Sequence, residues 1–319
     1  MVFAPTEIRT FWLDAPQRIF SNTAVTLGSF DGIHFGHEFL LKHLIATANA
    51  KELMPVLLTF DPHPRLVLSN NISVLTTIAE RELLLRKSGL PYIVHIRFTR
   101  EVANLSAEQF VERYIVESLD AKHVVIGYDH HFGKGRSGNP DEFVASGKKF
   151  GFSVDVLPPV MIDGRIVKSN AIRELILRGE ISNANKMLGH PYLVLGQTAP
   201  GRGLGTHIGY STANLQLSGQ KLLPRDGVYA ATASIMPDGK MKRAMVYIGR
   251  APTFDLAERM FEVHIFDHDG SPLYGKNIAT YLHEFVREDR YFKTVDELKK
   301  QIDSDAIRTR EILSRVMQS

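Results

Sequence analysis

Two histidines, His34 and His37, close the run GSFDGIHFGH at residues 28–37. Gly28, Gly32 and Gly36 punctuate the run and let backbone approach a ligand closely. It follows the apolar run AVTL (24–27) and leads into an amphipathic stretch, EFLLKHLIATANA (38–50), that reads as a helix. A helix start aims unpaired N–H groups outward, so imidazoles, glycines and a helix N-terminus together predict a site for phosphate oxygens. The order strand, turn, H-x-G-H, helix is the one that phosphate binding at the switch point of a parallel sheet requires.

Three further segments of the first half carry chemistry. TFDPHPR (59–65) ends an apolar strand, and its His63 and Arg65 serve equally well as ligand contacts or as parts of a rigid connection. GYDHHFGKGRSGN (127–139) reads either as a loop over anionic groups, through Lys134 and Arg136, or as a solvated surface loop. Its neighbouring His130 and His131 point opposite ways in extended chain and are expected at the surface. In VKSNAIR (167–173), Ser169 or Asn170 is placed to cap a helix, and Lys168 and Arg173 can reach phosphates. The second half holds GRGLGTHIGYSTANL (201–215), a phosphate-compatible glycine run or a barrel turn. If TANL is extended, Thr212 and Asn214 share one face, and their oxygens suit a hard cation such as magnesium. Glu262, on another strand-like segment, reads by itself as a solvent-facing carboxylate.

The elements that position these groups fall into two halves. Short apolar segments at 25–30, 55–60, 92–98, 123–128 and 152–157 alternate with helical ones at 79–88 and 107–119, the latter with Ser106 and Gln109 as a capping box. That alternation predicts a parallel sheet covered on both faces. Two short helices, 171–179 and 182–188, follow, and GHPY (189–192) marks the junction. Beyond it, strand-like segments joined by turns such as PDGK (237–240) and DHDG (267–270) predict an antiparallel barrel. Thr294 and Glu297 then open a long helix presenting Val295, Leu298 and Ile302 on one face. The domains are expected at 1–186 and 187–319.

At 319 residues, with 44% hydrophobic and 23% charged residues, the chain is of ordinary globular composition and long enough for two domains. A net charge of +3 is too small and scattered to argue for nucleic acid. The absence of cysteine excludes disulfides, thiolate metal sites and a cysteine nucleophile. Glu7, Arg9, Asp14 and Arg18 interrupt the first twenty residues, and no apolar run is long enough to span a bilayer, so a cytoplasmic location without a membrane partner is expected.

Taken together, GSFDGIHFGH, TFDPHPR, the G-x-D-x-x-F-G-K-G-R-S-G run at 127–138 and S-x-x-I-R at 169–173 resemble the prokaryotic bifunctional riboflavin kinase/FMN adenylyltransferase family, the FAD synthetases. The resemblance continues through STAN (211–214), LPRDGVYA (223–230), YIGRAPTF (247–254), EVHIFDHDGSPLYG (262–275) and Arg287 with Phe292. It implies a nucleotidylyltransferase-type, Rossmann-like α/β domain followed by a β-barrel domain with a C-terminal helix. The implied activities are phosphorylation of riboflavin to FMN in the barrel and adenylylation of FMN to FAD in the first domain, with ATP as co-substrate and magnesium as cofactor.

By the resemblance, His34 and His37 stabilise phosphate oxygens in the adenylyl-transfer transition state. Gly28, Ser29, Phe30 and Asp31 shape the nucleotide pocket, with Lys168, Ser169 and Arg173 on the triphosphate. Gly201, Gly203 and Gly205 bind the ATP of the kinase. His63, Arg65, Asp129, Phe132 and Arg287 are on the flavin side, Thr212 and Asn214 hold the metal, and Glu262 is the kinase general base. The chain departs from the family pattern at Asn170 and Ala171, His130 and His131, Ser211 (usually proline), Tyr247 and Ala251 (usually Asn and Arg), and His268 and Pro272. A barrel that is silent beside an active first domain, and a flavin-binding regulator with neither activity, are the competing readings.

Overall fold

A computed structural model describes residues 8–68, 72–199, 209–237, 239–250 and 259–317. The chain forms two compact units. The first comprises Met1–Val74 with Arg81–Lys168, the second Leu75–Glu80 with Ser169–Ser319.

In the first unit the chain runs β1 (Arg9–Leu13), β2 (Thr23–Leu27), α1 (Phe35–Ala50), β3 (Met54–Asp61) and α2 (Pro64–Leu68). It continues through α3 (Ile78–Leu85, whose first residues belong to the second unit), β4 (Tyr92–Arg97), α4 (Arg100–Ala103) and α5 (Ala107–Phe110). Then come β5 (Ala121–Gly127), α6 (Pro140–Phe150), β6 (Ser153–Leu157) and a small hairpin, β7 (Met161–Ile162) and β8 (Arg165–Ile166). The six main strands form one parallel sheet in the order β1-β4-β3-β2-β5-β6. Side-chain alternation divides the strands' apolar residues between two cores. Val25, Leu27, Val56, Leu58, Val124 and Ile126 enter one, with Phe110, Tyr114 and Phe143 over them. Ala24, Leu57, Ile93 and Val125 enter the other, under Leu41, Leu44 and Ala48 of α1. Burial on both faces explains why the strands read as unbroken apolar runs.

The second unit holds α7 (Ser169–Leu177) and α8 (Ile181–Leu188), which ends at left-handed Gly189 of the expected junction. Six antiparallel strands follow: β9 (Tyr192–Ala199), β10 (Ala213–Gln216), β11 (Gly227–Ile235), β12 (Lys242–Arg250), β13 (Arg259–Ile265) and β14 (Asn277–Glu288). They close a barrel in the order β10-β13-β12-β11-β14-β9. Ala244, Val246 and Ile248 alternate with Met245 and Tyr247; the latter pack with Phe266 and with Ile302 and Ala306 of α9 (Val295–Val316).

One polar cluster is sealed inside this unit. Lys221 and Glu80 are 1% and 0% exposed, and their charges meet at 2.9 Å. Lys221 Nζ also donates to the carbonyls of Leu75 and Leu193, and it lies 4.2 Å from the Tyr192 ring centroid. Glu80 accepts from the Leu195 and Thr77 N–H groups. All three ammonium protons and both carboxylate oxygens are therefore used, the condition under which a buried pair is tolerated.

Several boundaries differ from expectation. The strand expected at 25–30 ends at Leu27, and Phe30, within the expected span, takes left-handed backbone at φ 48°. The helix expected from 38 begins at Phe35, and the one expected from 171 begins at Ser169, which puts Ser169 and Asn170 inside it. The expected helix at 107–119 is α-helical only to Phe110, then π-helical over Val111–Ser118. The Ser106–Gln109 capping box forms as read. At the start of α9, Thr294 Oγ1 accepts from Glu297 N–H, but Glu297 turns to the Lys293 N–H. The packed stripe of α9 lies further along, at Ile302, Ala306, Ile312 and Leu313, while Val295 is exposed.

Candidate active sites

The sheet order reverses between β2 and β5, so the loops leaving their C-terminal ends flank the crevice where open α/β sheets bind ligands. The loop after β2 is GSFDGIH. His34 is the N-cap of α1, and its Nδ1 accepts the His37 N–H at 3.3 Å. A neutral His34 in this role carries its proton on Nε2, leaving that nitrogen as a donor. The two imidazoles stack with centroids 3.6 Å apart, and Phe30 covers the other side of the pair at 4.6 Å from His37. Burial first, then the fields of His34 and Arg81, hold the His37 pKa well below the ordinary histidine value. His37 Nδ1 is buried without a hydrogen-bond partner.

Gly36 leaves room for this stack. A Cβ there would lie 3.2 Å from His34 Cε1 and Nδ1, tight enough to push the ring aside. Phe30 and Ile33 are non-glycine residues in left-handed backbone, a costly conformation that concentrates at ligand-binding loops. Arg81, which the sequence reading treats only as part of a helix, holds the loop. Its Nη1 donates to the Ser29 carbonyl at 2.6 Å and its Nη2 to the Phe60 carbonyl at 3.3 Å. The side chain is 4% exposed; burial lowers its pKa, and the charges of Asp31, Asp61 and Glu82 oppose that. The legible signal was T-x-x-E at 77–80, a capping box that fixes α3 and makes the two charges after Ala79 face inward.

Asp129 follows β5 and meets Lys168 at 3.1 Å; Lys168 Nζ lies 5.2 Å from the Tyr128 ring centroid. The acidic residue expected on the flavin side and the basic one expected on the triphosphate are thus a half-exposed pair, each neutralising the other. Phe132 is buried against Phe110, Phe143 and His130. His131 is exposed, as expected of both neighbouring histidines. His130 is not: it packs against Phe132 and Phe143, and burial pulls its pKa down to about 4. His63 Nδ1 accepts the Arg65 N–H at 3.2 Å, and Arg65 is exposed at the start of α2. Ser169, Asn170 and Arg173 belong to the second unit, where Arg173 donates to Asn170 Oδ1 at 3.0 Å.

In the barrel, Glu262 lies opposite both Asn214 and Tyr247 in the ladder. Cross-strand partners face the same way, so the three share the outer barrel face. Thr212 Oγ1 donates to Glu262 Oε2 at 3.3 Å. The Tyr247 hydroxyl is pushed strongly towards its protonated form by burial and by Asp289, which accepts its hydrogen bond. Arg287 grips Asp305 of α9 at 2.8 Å and lies 5.7 Å from the Phe292 ring centroid. Gly201, Gly203, Gly205 and Ala251 lie outside the described residues.

Residues 17–171 match the FAD synthetase family and residues 188–313 the riboflavin kinase family. The bifunctional riboflavin kinase/FMN adenylyltransferase of Buchnera aphidicola subsp. Schizaphis graminum is 32% identical over 91% of this chain and 93% of its own. The protein of that name from Listeria monocytogenes is 33% identical over 92% of this chain and 94% of its own. The chain belongs to the bifunctional riboflavin kinase/FMN adenylyltransferase family.

The fold of this family member is also found in a solved Streptococcus pneumoniae chain described as a macrolide-efflux protein. It is 32% identical, with a TM-score of 0.84 over 94% of this chain and 98% of that one. Among the described residues no helix is long and apolar enough to cross a membrane. With both family halves present, the resemblance read from the motifs and the two-part fold read from the periodicity both hold.

Proposed function

We propose that the chain makes FAD in two steps, phosphorylating riboflavin in the half 187–319 and adenylylating the resulting FMN in the half 1–186, in the cytoplasm. The observation that carries the reading is the stacked His34–His37 pair on the first turn of α1, beside the sheet's switch point.

In the first half, an FMN phosphate oxygen attacks the α-phosphorus of ATP, the bond to the β-phosphate breaks, and pyrophosphate leaves. The work is positioning and charge stabilisation. His34 Nε2–H and the α1 N-terminus face the anionic oxygens, and neutral His37 adds a second imidazole without a fixed charge. Gly28, Ser29, Phe30 and Asp31 form the nucleotide loop, anchored by Arg81. Lys168, Ser169 and Arg173 act on the triphosphate, and His63, Arg65, Asp129 and Phe132 on the flavin side.

In the second half, Glu262 takes the proton from the riboflavin 5′-hydroxyl as that oxygen attacks the γ-phosphorus, and ADP leaves. Gly201, Gly203 and Gly205 cradle the nucleotide, and Arg287 with Phe292 borders the flavin. Thr212 and Asn214 fit a magnesium ion because hydroxyl and amide oxygens beside a carboxylate are hard donors. In this reading the oxygens of ATP complete the ion's ligands. When bound, the ion neutralises charge on the phosphates.

Separate sites are tested by His37→Ala and Glu262→Ala. The first is expected to abolish FAD formation from FMN and spare riboflavin phosphorylation; the second is expected to do the reverse. Loss of both activities from either folded variant contradicts the assignment.

A further inference from the structure

Thr212 stands just before β10 and outside any strand, yet its hydroxyl meets Glu262, its partner in the kinase reading. What fixes this irregular segment is visible on the outer face of β13. His264 lies two residues beyond Glu262 and therefore faces the same way. Its Nδ1 sits 2.8 Å from the Ser211 carbonyl oxygen, so it carries the proton and donates. Adjacent outward positions of one strand thus hold adjacent residues of the segment: His264 the carbonyl of 211, Glu262 the hydroxyl of 212.

The imidazole is itself held. Its ring meets Phe266 edge-on at 5.1 Å and at an interplanar angle of 86°, and meets Tyr210 at 5.1 Å and 63°. Tyr210 is tied in turn to α9, its hydroxyl donating to Asp303 at 2.7 Å. Ser211 has an unrestricted φ, so nothing covalent limits this turn as a proline would.

We infer that His264 is a positioning residue of the riboflavin kinase site, setting Thr212 against Glu262 through the Ser211 carbonyl. The inference rests on the kinase reading above. It predicts that the donor, not the ring's bulk, is what the site needs. An asparagine at 264 places an amide N–H near the Nδ1 position and retains the bond; leucine retains volume alone. A proline at 211 restricts the same segment without the bond.

The test compares His264→Leu, His264→Asn and the double variant His264→Leu with Ser211→Pro in the full chain. Steady-state riboflavin phosphorylation, calorimetric binding of ADP with magnesium, and FAD formation from FMN are measured for each. His264→Leu is expected to raise KM for ATP and lower kcat together, by about tenfold or more, and to weaken ADP binding, with FAD formation from FMN unchanged. His264→Asn recovers most of both losses, and the added proline recovers part. Wild-type values in His264→Leu, or a failure of both His264→Asn and the double variant to recover, overturn the inference. Absence of riboflavin phosphorylation by the unchanged chain removes the kinase reading itself, and this inference with it.

Discussion

Glu80→Ala breaks a buried ion pair of the barrel unit from one side. It removes the carboxylate that meets an ammonium 1% exposed, and it takes the acceptors from the Leu195 and Thr77 N–H groups. Lys221 keeps the Leu75 and Leu193 carbonyls, which orient it without neutralising it. Breaking a buried pair from one side costs about 3–5 kcal/mol. For a unit of about 150 residues that lowers the midpoint of thermal unfolding by roughly 6–20 °C. Scanning calorimetry reads the transition, and amide exchange at Leu195 reads the cause, because that N–H loses its acceptor. Glu80→Gln keeps one acceptor and is expected to fall between. A Glu80→Ala variant within about 1 kcal/mol of wild type, with Leu195 still protected, refutes the reasoning. The same network predicts that a fragment of residues 187–319, which lacks Leu75 and Glu80, is less stable than one supplied with 75–80.

Gly36→Ala brings a methyl to 3.2 Å from the His34 ring and is expected to slow FAD formation by about tenfold or more while leaving riboflavin phosphorylation unchanged. Arg81→Met removes a charged donor from the Ser29 carbonyl, worth about 1.5–3 kcal/mol, so FAD formation should fall roughly 10- to 100-fold. With that positive field gone, His37 binds a proton more readily, a rise in its pKa that NMR titration detects; an unmoved His37 contradicts the coupling. Acid should destabilise the protein before its carboxylates titrate. His130 and His283 are held down to about 4 by burial, against 6.5 when unfolded. Above 6.5 both states are neutral; below it only the unfolded chain gains the proton, so stability falls from pH 6.5 towards 4 and levels off for these groups beneath that. His130→Phe should reduce the slope by about 1.4 kcal/mol per pH unit, and an unchanged slope in denaturant titrations counts against its burial as a neutral ring.

The two-part fold was legible because parallel strands buried on both faces and antiparallel barrel strands write different patterns. The segment YLVLGQTA coincides with β9, and the Ser106–Gln109 cap formed as read. What periodicity missed is where polar groups override it. α1 begins three residues early because His34 serves as its cap, a role usually filled by Ser, Thr, Asp or Asn. Helical periodicity does not single out Arg81, Glu80 or Asp305, and each is buried because its partner comes from a distant part of the chain: a loop carbonyl, Lys221 and Arg287. His130 misled for a related reason, since alternation of neighbours describes a strand and His130 follows a turn, its N–H bonded to the Gly127 carbonyl. Histidine, glycine and threonine motifs single out both candidate sites, but the groups that hold those motifs still are not encoded nearby.

The central claim is that one chain carries both activities. Purified protein is incubated with ATP and magnesium, with riboflavin in one tube and FMN in another, and the flavins are separated by chromatography. The account predicts FMN and FAD from riboflavin and FAD from FMN. FAD from FMN with riboflavin untouched contradicts the kinase assignment, and no product in either tube contradicts the whole.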